Sequence, residues 1–140
     1  FMSSVHERYR RYLEDLSYAT LGDLETYVTA DVRFKDPFND VRGVDAMRRI
    51  FQHMFENVQD VKFLAQDMAS EGQMCFMSWR FEGKLRGNPW AFDGASIIRF
   101  AEDGRVTEHI DHWDAGGDFY ERLPIIGSLL AFLRRQLAVE

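Results

Sequence analysis

Disulfides and a basic surface are both missing from this sequence. Cys75 is the single cysteine, so no disulfide can form within the chain, and its neighbours Met74, Phe76 and Met77 predict a buried, unreactive thiol. Acidic residues outnumber basic ones by 23 to 17, and the net charge at pH 7 is −6. Nucleic-acid binding requires a basic face, so we expect no nucleic-acid partner. The low cysteine content fits a reducing compartment, and we expect a cytoplasmic protein.

A long hydrophobic run is missing as well. The longest apolar stretch, residues 123–133, is interrupted by a proline, a glycine and a serine. Because a helix needs about 20 apolar residues to cross a bilayer, we expect no transmembrane segment. This stretch predicts a helix that covers the core or a pocket. A helix lying on a membrane surface, with Arg134 and Arg135 at its basic edge, is the alternative.

Sequence motifs for cofactors and activated nucleophiles do not occur. The chain contains no G-x-G-x-x-G, no P-loop and no G-x-S-x-G sequence. His109 and His112 are ligand types, but three residues apart on a strand they point to opposite faces. We therefore expect no cofactor and no metal.

Aromatic residues, in contrast, are abundant: 12 Phe, 5 Tyr and 3 Trp make up 14% of the chain. A domain of this length buries about 68–70% of the surface of its unfolded chain, which allows a core and one pocket. We expect a single domain over residues 1–140, in which part of the aromatic surface lines a cavity.

Hydrophobic periodicity predicts helices first and strands afterwards. The predicted elements are a helix with an apolar stripe over 5–16, a short helix over 23–28, a strand over 32–36, a loop over 38–43, a helix over 45–58, strands over 61–69, 74–85, 90–100 and 106–114, and a helix over 125–137. This order is typical of an α+β fold with helices on one face of a curved, mostly antiparallel sheet.

Apolar residues occupy both faces of the longest predicted strand. Met74 and Phe76 lie on one face, and Met77, Trp79 and Phe81 lie on the other. Because helices cover one face only, we expect a homodimer through the opposite face of the sheet. The alternative is that Met74 and Phe76 pack under the terminal helix.

The densest group of chemically useful residues is on the last strand. His109, Asp111 and Trp113 share one face, and an Asp beside a His forms a proton-transfer pair. The alternation of residues along this strand leaves open whether this face points into the protein or into solvent. Asp36, before Pro37, is either a turn former or a carboxylate at a pocket mouth that acts as a general base.

Three stretches resemble the ketosteroid-isomerase and SnoaL-like branch of the nuclear transport factor two-like superfamily. They are LGDLE at 21–25, VRFKDPF at 32–38 with GVDAM at 43–47, and IIRF at 97–100 continuing through DGRV to Trp113. The resemblance covers nearly the whole chain. It implies a cone-shaped, cystatin-like α+β fold, in which a curved, mostly antiparallel sheet wraps around the N-terminal helices and a C-terminal helix follows.

The resemblance also implies a site. Asp36 stands where the isomerases carry their catalytic base. The family's pocket tryptophan matches Trp113, so His109 and Asp111 are expected to face inward and to be catalytic with Asp36. The family's oxyanion tyrosine falls on Asp15, with Tyr12 or Tyr18 as alternatives, and its protonated aspartate falls on Ser96. The expected pocket residues are Tyr12, Asp15, Tyr18, Met77, Trp79, Phe81, Phe92, Ser96 and Trp113.

These residues predict a cofactor-free proton-transfer enzyme, an isomerase, lyase or hydrolase, that acts on a small apolar cyclic or polyketide-like molecule. The alternatives are a small-molecule binding protein without catalysis and a dimeric interaction module of the same fold. Several ionisable groups in one pocket favour the enzyme, because burying them costs free energy that a binding pocket has no need to spend.

Overall fold

The architecture is taken from a computed structural model that describes residues 2–123 and 125–138. The helices are α1 (Met2–Glu14), α2 (Leu24–Tyr27), α3 (Val44–Asn57), α4 (Ala115–Asp118) and α5 (Ile126–Leu137). The strands are β1 (Val28–Lys35), β2 (Asp40–Arg42), β3 (Val58–Glu71), β4 (Met74–Leu85), β5 (Asn88–Phe100) and β6 (Val106–Trp113). Single 3-10 turns cover Leu21–Asp23 and Tyr120–Arg122.

The strands form one sheet in the order β2-β1-β6-β5-β4-β3. Strands β3 to β6 are an antiparallel meander, and β1 lies parallel to β6 and antiparallel to β2. Breaks in the β3–β4 register at residues 59–62 and 65–67 are bulges, which bend the long strand. The expected α+β fold with a curved, mostly antiparallel sheet is confirmed.

The first part of the chain differs from the prediction. Strand β1 begins at Val28 rather than residue 32, and β2 lies inside the predicted loop. Polar residues at the start of β1 hide its period, and three residues of β2 are too few to show one. An ion pair between Arg33 and Asp40, with Nη2 and Oδ2 2.9 Å apart, joins the two strands.

The inner face of the sheet is closed by α1 and α3. Tyr9 and Leu13 of α1 and Met47 of α3 are buried against residues such as Phe34 and Ile98 of the sheet. Each comes from the apolar stripe of its helix or from the inward-pointing positions of its strand. These two helices therefore decide which side of the sheet can hold an enclosed cavity.

Cys75 points to the same inner face and is 1% exposed. Burial raises the pKa of its thiol, so the nucleophilic thiolate is disfavoured. The predicted burial of Cys75 is confirmed.

The C-terminal helix α5 packs mainly against the turn Tyr120–Arg122. Its side chains Ile126, Leu129 and Phe132 are each half exposed or more, so the helix does not cover the core as the sequence predicts. Across the described residues, every helix is too short or too polar to cross a membrane.

Candidate active site

A cavity of about 860 Å³ opens between α3 and the inner face of the sheet. Its lining is mainly aliphatic and aromatic, and it includes all three tryptophans of the chain, Trp79, Trp90 and Trp113. This volume is in the range of small-molecule sites. Asp36, His109 and Asp111 bring polar atoms into the lining, so the structure gathers the three predicted catalytic residues around one cavity.

His109 is 3% exposed and both of its ring nitrogens are engaged. Nδ1 lies 2.8 Å from the hydroxyl of Tyr9, and Nε2 lies 2.7 Å from Oδ1 of Asp111. The register of β6 produces this arrangement, since His109 and Asp111 are two residues apart and point to the same face. Tyr9 reaches them from the inward stripe of α1.

A second chain of hydrogen bonds reaches the same oxygen of Asp111. The hydroxyl of Ser96 lies 2.5 Å from Oδ1, and the indole Nε1 of Trp79 donates to Ser96 Oγ over 2.8 Å. Ser96 and Asp111 face each other across the β5–β6 register. Both chains therefore end on Oδ1 of Asp111.

The directions of these bonds follow from what each group can donate. An indole N–H only donates, so Ser96 accepts a hydrogen bond from Trp79 and donates one to Asp111. Burial and the charge of Asp111 raise the pKa of Tyr9, which therefore stays protonated and can donate to Nδ1 of His109. The remaining proton of a neutral imidazole is then on Nε2 and points at Asp111.

The other oxygen of Asp111 is free. In the described part of the chain, no hydrogen bond is made to Oδ2, while Oδ1 accepts two. Asp111 lines the cavity. Its carboxylate thus has one oxygen fixed by donors and one available to a bound molecule.

Asp36 lies just after β1 and forms an Asx turn. Its Oδ1 accepts hydrogen bonds from the backbone N–H of Phe38 (2.9 Å) and of Asn39 (2.7 Å), and from the Asn39 amide (3.1 Å). Burial raises the pKa of Asp36, these hydrogen bonds offset part of the rise, and the charge of Asp111 adds to it. The two carboxyl groups are therefore close enough to influence each other.

Aromatic rings form one wall of the cavity. Phe92 and Trp113 are stacked with their centroids 4.2 Å apart, and Phe81 stacks on Phe92 at 5.0 Å. Phe38 packs edge-on against Trp113, with centroids 5.4 Å apart. Such a wall offers flat, apolar surface to a ring-shaped ligand.

Five of the expected pocket residues lie outside the lining. The hydroxyl of Tyr12 donates to the carbonyl of Thr20, and its ring stacks on Tyr27, so it faces away from the cavity. Asp15 is exposed in the turn after α1, and Tyr18 is 56% exposed. Met77 and Ser96 are buried behind the lining, where Ser96 supports Asp111. The expected residues that do line it are Trp79, Phe81, Phe92 and Trp113.

Tyr9 is a residue of the hydrogen-bond network that the sequence did not indicate. It contacts His109 and lies three residues, about one helical turn, before Tyr12. The available signal was the apolar stripe of α1, in which Tyr9 reads as a core residue.

In residues 2–123 and 125–138, no three His, Cys, Asp or Glu side chains converge on a point that could hold a metal ion. His109 and Asp111 are hydrogen-bonded to each other, and His109 is also hydrogen-bonded to Tyr9.

The sequence and the fold also resemble those of known proteins. The family model of the SnoaL-like domain matches residues 9–109. The chain belongs to the SnoaL-like domain family. The match runs from Tyr9 to His109, the two residues joined by the hydrogen bond at Nδ1. No curated protein matches the chain.

Solved structures share the fold of this SnoaL-like protein at low sequence identity. An LEH-like epoxide hydrolase of M. tuberculosis is 14% identical with a TM-score of 0.71, over 94% of this chain and 93% of its own. TerC, co-crystallised with polyporic acid, is 13% identical with a TM-score of 0.70, over 83% and 93%. An NTF2-like protein of unknown function from Exiguobacterium sp. 255-15 is 21% identical with a TM-score of 0.68, over 79% and 98%.

These likenesses establish the fold. Together with the family match, they confirm the resemblance to the nuclear transport factor two-like superfamily and its SnoaL-like branch. The chemistry must be argued from the site itself.

Proposed function

We propose that this SnoaL-like protein is a cofactor-free enzyme that moves a proton on a small, mostly apolar, ring-containing molecule. The observation that carries the proposal is the carboxylate of Asp111, which lines the cavity, is held by two donors on Oδ1 and makes no hydrogen bond at Oδ2 to the described residues. A carboxylate oxygen without a hydrogen-bond donor from the described residues can accept a proton from a bound molecule.

Asp111 is the general base in this proposal. The donors Ser96 and His109 hold its orientation, and they remain in place when Oδ2 takes a proton. Little rearrangement is then needed during the reaction, which is the advantage of a preorganised site.

His109 acts as a positioning residue rather than as the base. Both of its nitrogens are occupied, by Tyr9 and by Asp111, so neither is free to accept a proton from a bound molecule. The proposal thus gives the role of base to Asp111, whereas the sequence suggested either Asp36 or the His109–Asp111 pair.

Asp36 is the general acid in this proposal. Burial raises the pKa of its carboxyl group, which favours the protonated form compared with an exposed aspartate. For an isomerase, Asp111 removes a proton from carbon while Asp36 protonates the carbonyl oxygen to give an enol; Asp111 then returns the proton to a different carbon, and Asp36 takes its own proton back from the oxygen. For a hydrolase, Asp111 removes a proton from water that attacks the ring carbon, and Asp36 protonates the leaving oxygen. In the first step of either reaction one proton is taken up and one is given.

Two of the similar structures support a small-molecule substrate. One is an epoxide hydrolase and another was crystallised with polyporic acid. Both are proteins of the same fold, and the aromatic wall of Phe92 and Trp113 suits ring compounds of this kind.

The experiment measures proton transfer on two simple probes. One is exchange of the α-protons of 1-indanone in D₂O, followed by NMR, and the other is hydrolysis of styrene oxide. The wild-type protein is expected to accelerate at least one reaction, and Asp111→Asn is expected to lower that rate by about 10²–10⁴. The exposed Asp23→Asn is the matched control and is expected to leave it unchanged.

We also infer that two copies of the chain pair through the outer face of the sheet, the face turned away from α1 and α3. Phe76, Ile97 and Ile110 are cross-strand neighbours on β4, β5 and β6 and form an apolar row there. Phe76 is 43% exposed. A second copy that packs on this row would remove it from water.

A further inference from the structure

A polar edge borders the apolar cavity along α3. Arg49, His53 and Asn57 are spaced four residues apart, so they form one stripe about 12 Å long on the helix surface. All three line the cavity, and all are exposed to solvent. Arg86, in the turn between β4 and β5, also lines it. Since Val58 and Leu85 are register partners, Arg86 follows the strand end that lies beside the C-terminal end of α3.

Among the described residues, the charges of Arg49 and Arg86 have no partner. Other arginines are paired: Arg10 with Glu7, Arg33 with Asp40, and Arg80 with Glu82, among further pairs. For Arg49 and Arg86, the described residues provide no hydrogen bond to the guanidinium group and no carboxylate within ion-pair distance. Two unpaired guanidinium groups thus stand at the edge of one cavity.

Arg86 also occupies an unfavourable backbone conformation. Its φ is +54° and that of the following Gly87 is +81°, a pair of values that a tight hairpin turn requires. Asparagine suits the first position better than arginine does. Because no partner of the Arg86 side chain in the described part of the chain offsets this cost, a role toward a ligand is indicated.

The cavity is therefore electrically polarised. Asp111 provides negative charge within the lining, and Arg49 and Arg86 provide positive charge at the solvent edge. The protein as a whole carries a net charge of −6, which repels anions elsewhere on its surface. A ligand with one anionic group can enter with that group toward the arginines and its uncharged end toward Asp111.

We propose that the cavity binds an amphipathic ring compound, an apolar ring body with one carboxylate, and that the positive charges of Arg49 and Arg86 attract the carboxylate to the solvent edge. The orientation of the ring body rests on the proposed function, because it presents the uncharged end to Asp111. The selection of an anion rests on the arginines alone. A guanidinium group forms charge-assisted hydrogen bonds with a carboxylate, and Asn57 and His53 add polar neighbours on the same edge.

The test compares two probes of the same shape, anthraquinone-2-carboxylate and the neutral anthraquinone-2-carboxamide. Binding is followed by quenching of tryptophan fluorescence, since every tryptophan of the chain lines the cavity. The wild type is expected to bind the carboxylate about fivefold more tightly than the amide, as an exposed ion pair of about 1 kcal/mol gives.

The double variant Arg49→Gln/Arg86→Gln is expected to lose this preference and to keep its affinity for the amide within about twofold. Arg11→Gln, an exposed arginine outside the cavity lining, is the matched control and is expected to keep the preference. Raising the ionic strength to about 1 M, where the Debye length is about 3 Å, is expected to reduce the preference in the wild type without any substitution.

Three results would overturn the proposal: no quenching by either probe, equal affinity of the wild type for the two probes, or a preference that survives in the double variant. The readout is binding, not turnover. Failure of Asp111→Asn to alter proton transfer would therefore remove the proposed function and leave the anion preference standing, whereas loss of the preference would leave the acid–base proposal standing.

Discussion

Asp36 and Asp111 are two carboxyl groups on one cavity with different surroundings. Oδ1 of Asp111 accepts from two side-chain donors, whereas Asp36 accepts mainly from backbone N–H groups of its own turn. Burial raises the pKa of Asp36, and the charge of Asp111 raises it further. Two carboxyl groups whose environments differ in this way can divide the roles of acid and base.

The raised pKa of Asp36 has a consequence for stability. Its ordinary pKa is 3.8 and its folded-state pKa is higher, so the folded protein holds the proton more tightly than the unfolded chain does. The free energy of unfolding therefore falls as pH rises from the ordinary toward the raised value, and it stays lower above that. Asp36→Asn removes this pH-dependent loss of stability. The amide oxygen that it introduces can still accept hydrogen bonds from Phe38 and Asn39.

Urea unfolding at pH 3 and pH 7 measures the effect. The free energy of unfolding of Asp36→Asn minus that of the wild type is expected to be larger at pH 7 than at pH 3. A difference between the two proteins that does not change with pH would contradict the raised pKa.

Single residues also show how far the sequence can predict the site. His109 and Asp111 are two apart on a strand, so their pairing can be predicted from the sequence. The contact of Tyr9 with His109 cannot, because it joins residues 100 apart and depends on how α1 crosses the sheet. The same uncertainty in the register of α1 explains why Tyr12 and Asp15 were expected in the pocket.

At the scale of elements, strand β5 creates room for Trp79 of β4 by means of a glycine. A Cβ atom at Gly94 would lie 2.4 Å from Cη2 and 2.6 Å from Cζ2 of the Trp79 indole. These separations are far below van der Waals contact, so any side chain at position 94 displaces Trp79. The hydrogen bond from Trp79 to Ser96, and with it the support of Asp111, would be disturbed.

Gly94→Ala is expected to destabilise the protein by about 1–3 kcal/mol, because it overpacks a buried site. Proton transfer is expected to fall as well, since Ser96 loses its partner. Gly22→Ala is the matched control, because a Cβ there meets no atom within 4 Å. Denaturant unfolding checks the prediction, and equal stability of the two variants would contradict it.

The sequence predicts the meander of β3 to β6 well, because each of those strands is long enough to show its period. It does not predict that β1 lies parallel to β6, since pairing partners far apart in sequence leave no local signal. The last helix also differs from the prediction, because it does not cover the core. Its apolar composition is visible in the sequence, but its packing partners are not.

At the scale of the whole molecule, the proposed dimer depends on the apolar row Phe76, Ile97 and Ile110. Phe76→Lys places a charge in the middle of this row and is expected to convert a dimer to a monomer. Light scattering on the eluting protein measures the mass. Leu137→Lys is the matched control, because Leu137 is 86% exposed on α5 and away from the row. A wild-type protein with the mass of one chain, or a Phe76→Lys variant that stays dimeric, would contradict the inference.

The functional side chains described above are gathered around one cavity. The sheet and helix α3 provide the apolar cavity, and α1 contributes Tyr9 to the hydrogen-bond chain that ends on Asp111. Family membership fixes the fold, and the site residues determine what the fold is used for.

In the proposed reaction Asp111 is the base, and His109 acts through Asp111. The most direct measurement compares the catalysed rates of Asp111→Asn and His109→Gln on whichever probe the wild type accelerates, with the fold of both variants checked by thermal unfolding. Asp111→Asn is expected to lose catalysis, and His109→Gln is expected to keep a measurable part of it, because Ser96 still orients Asp111. Loss of catalysis in His109→Gln with activity retained in Asp111→Asn would contradict these roles.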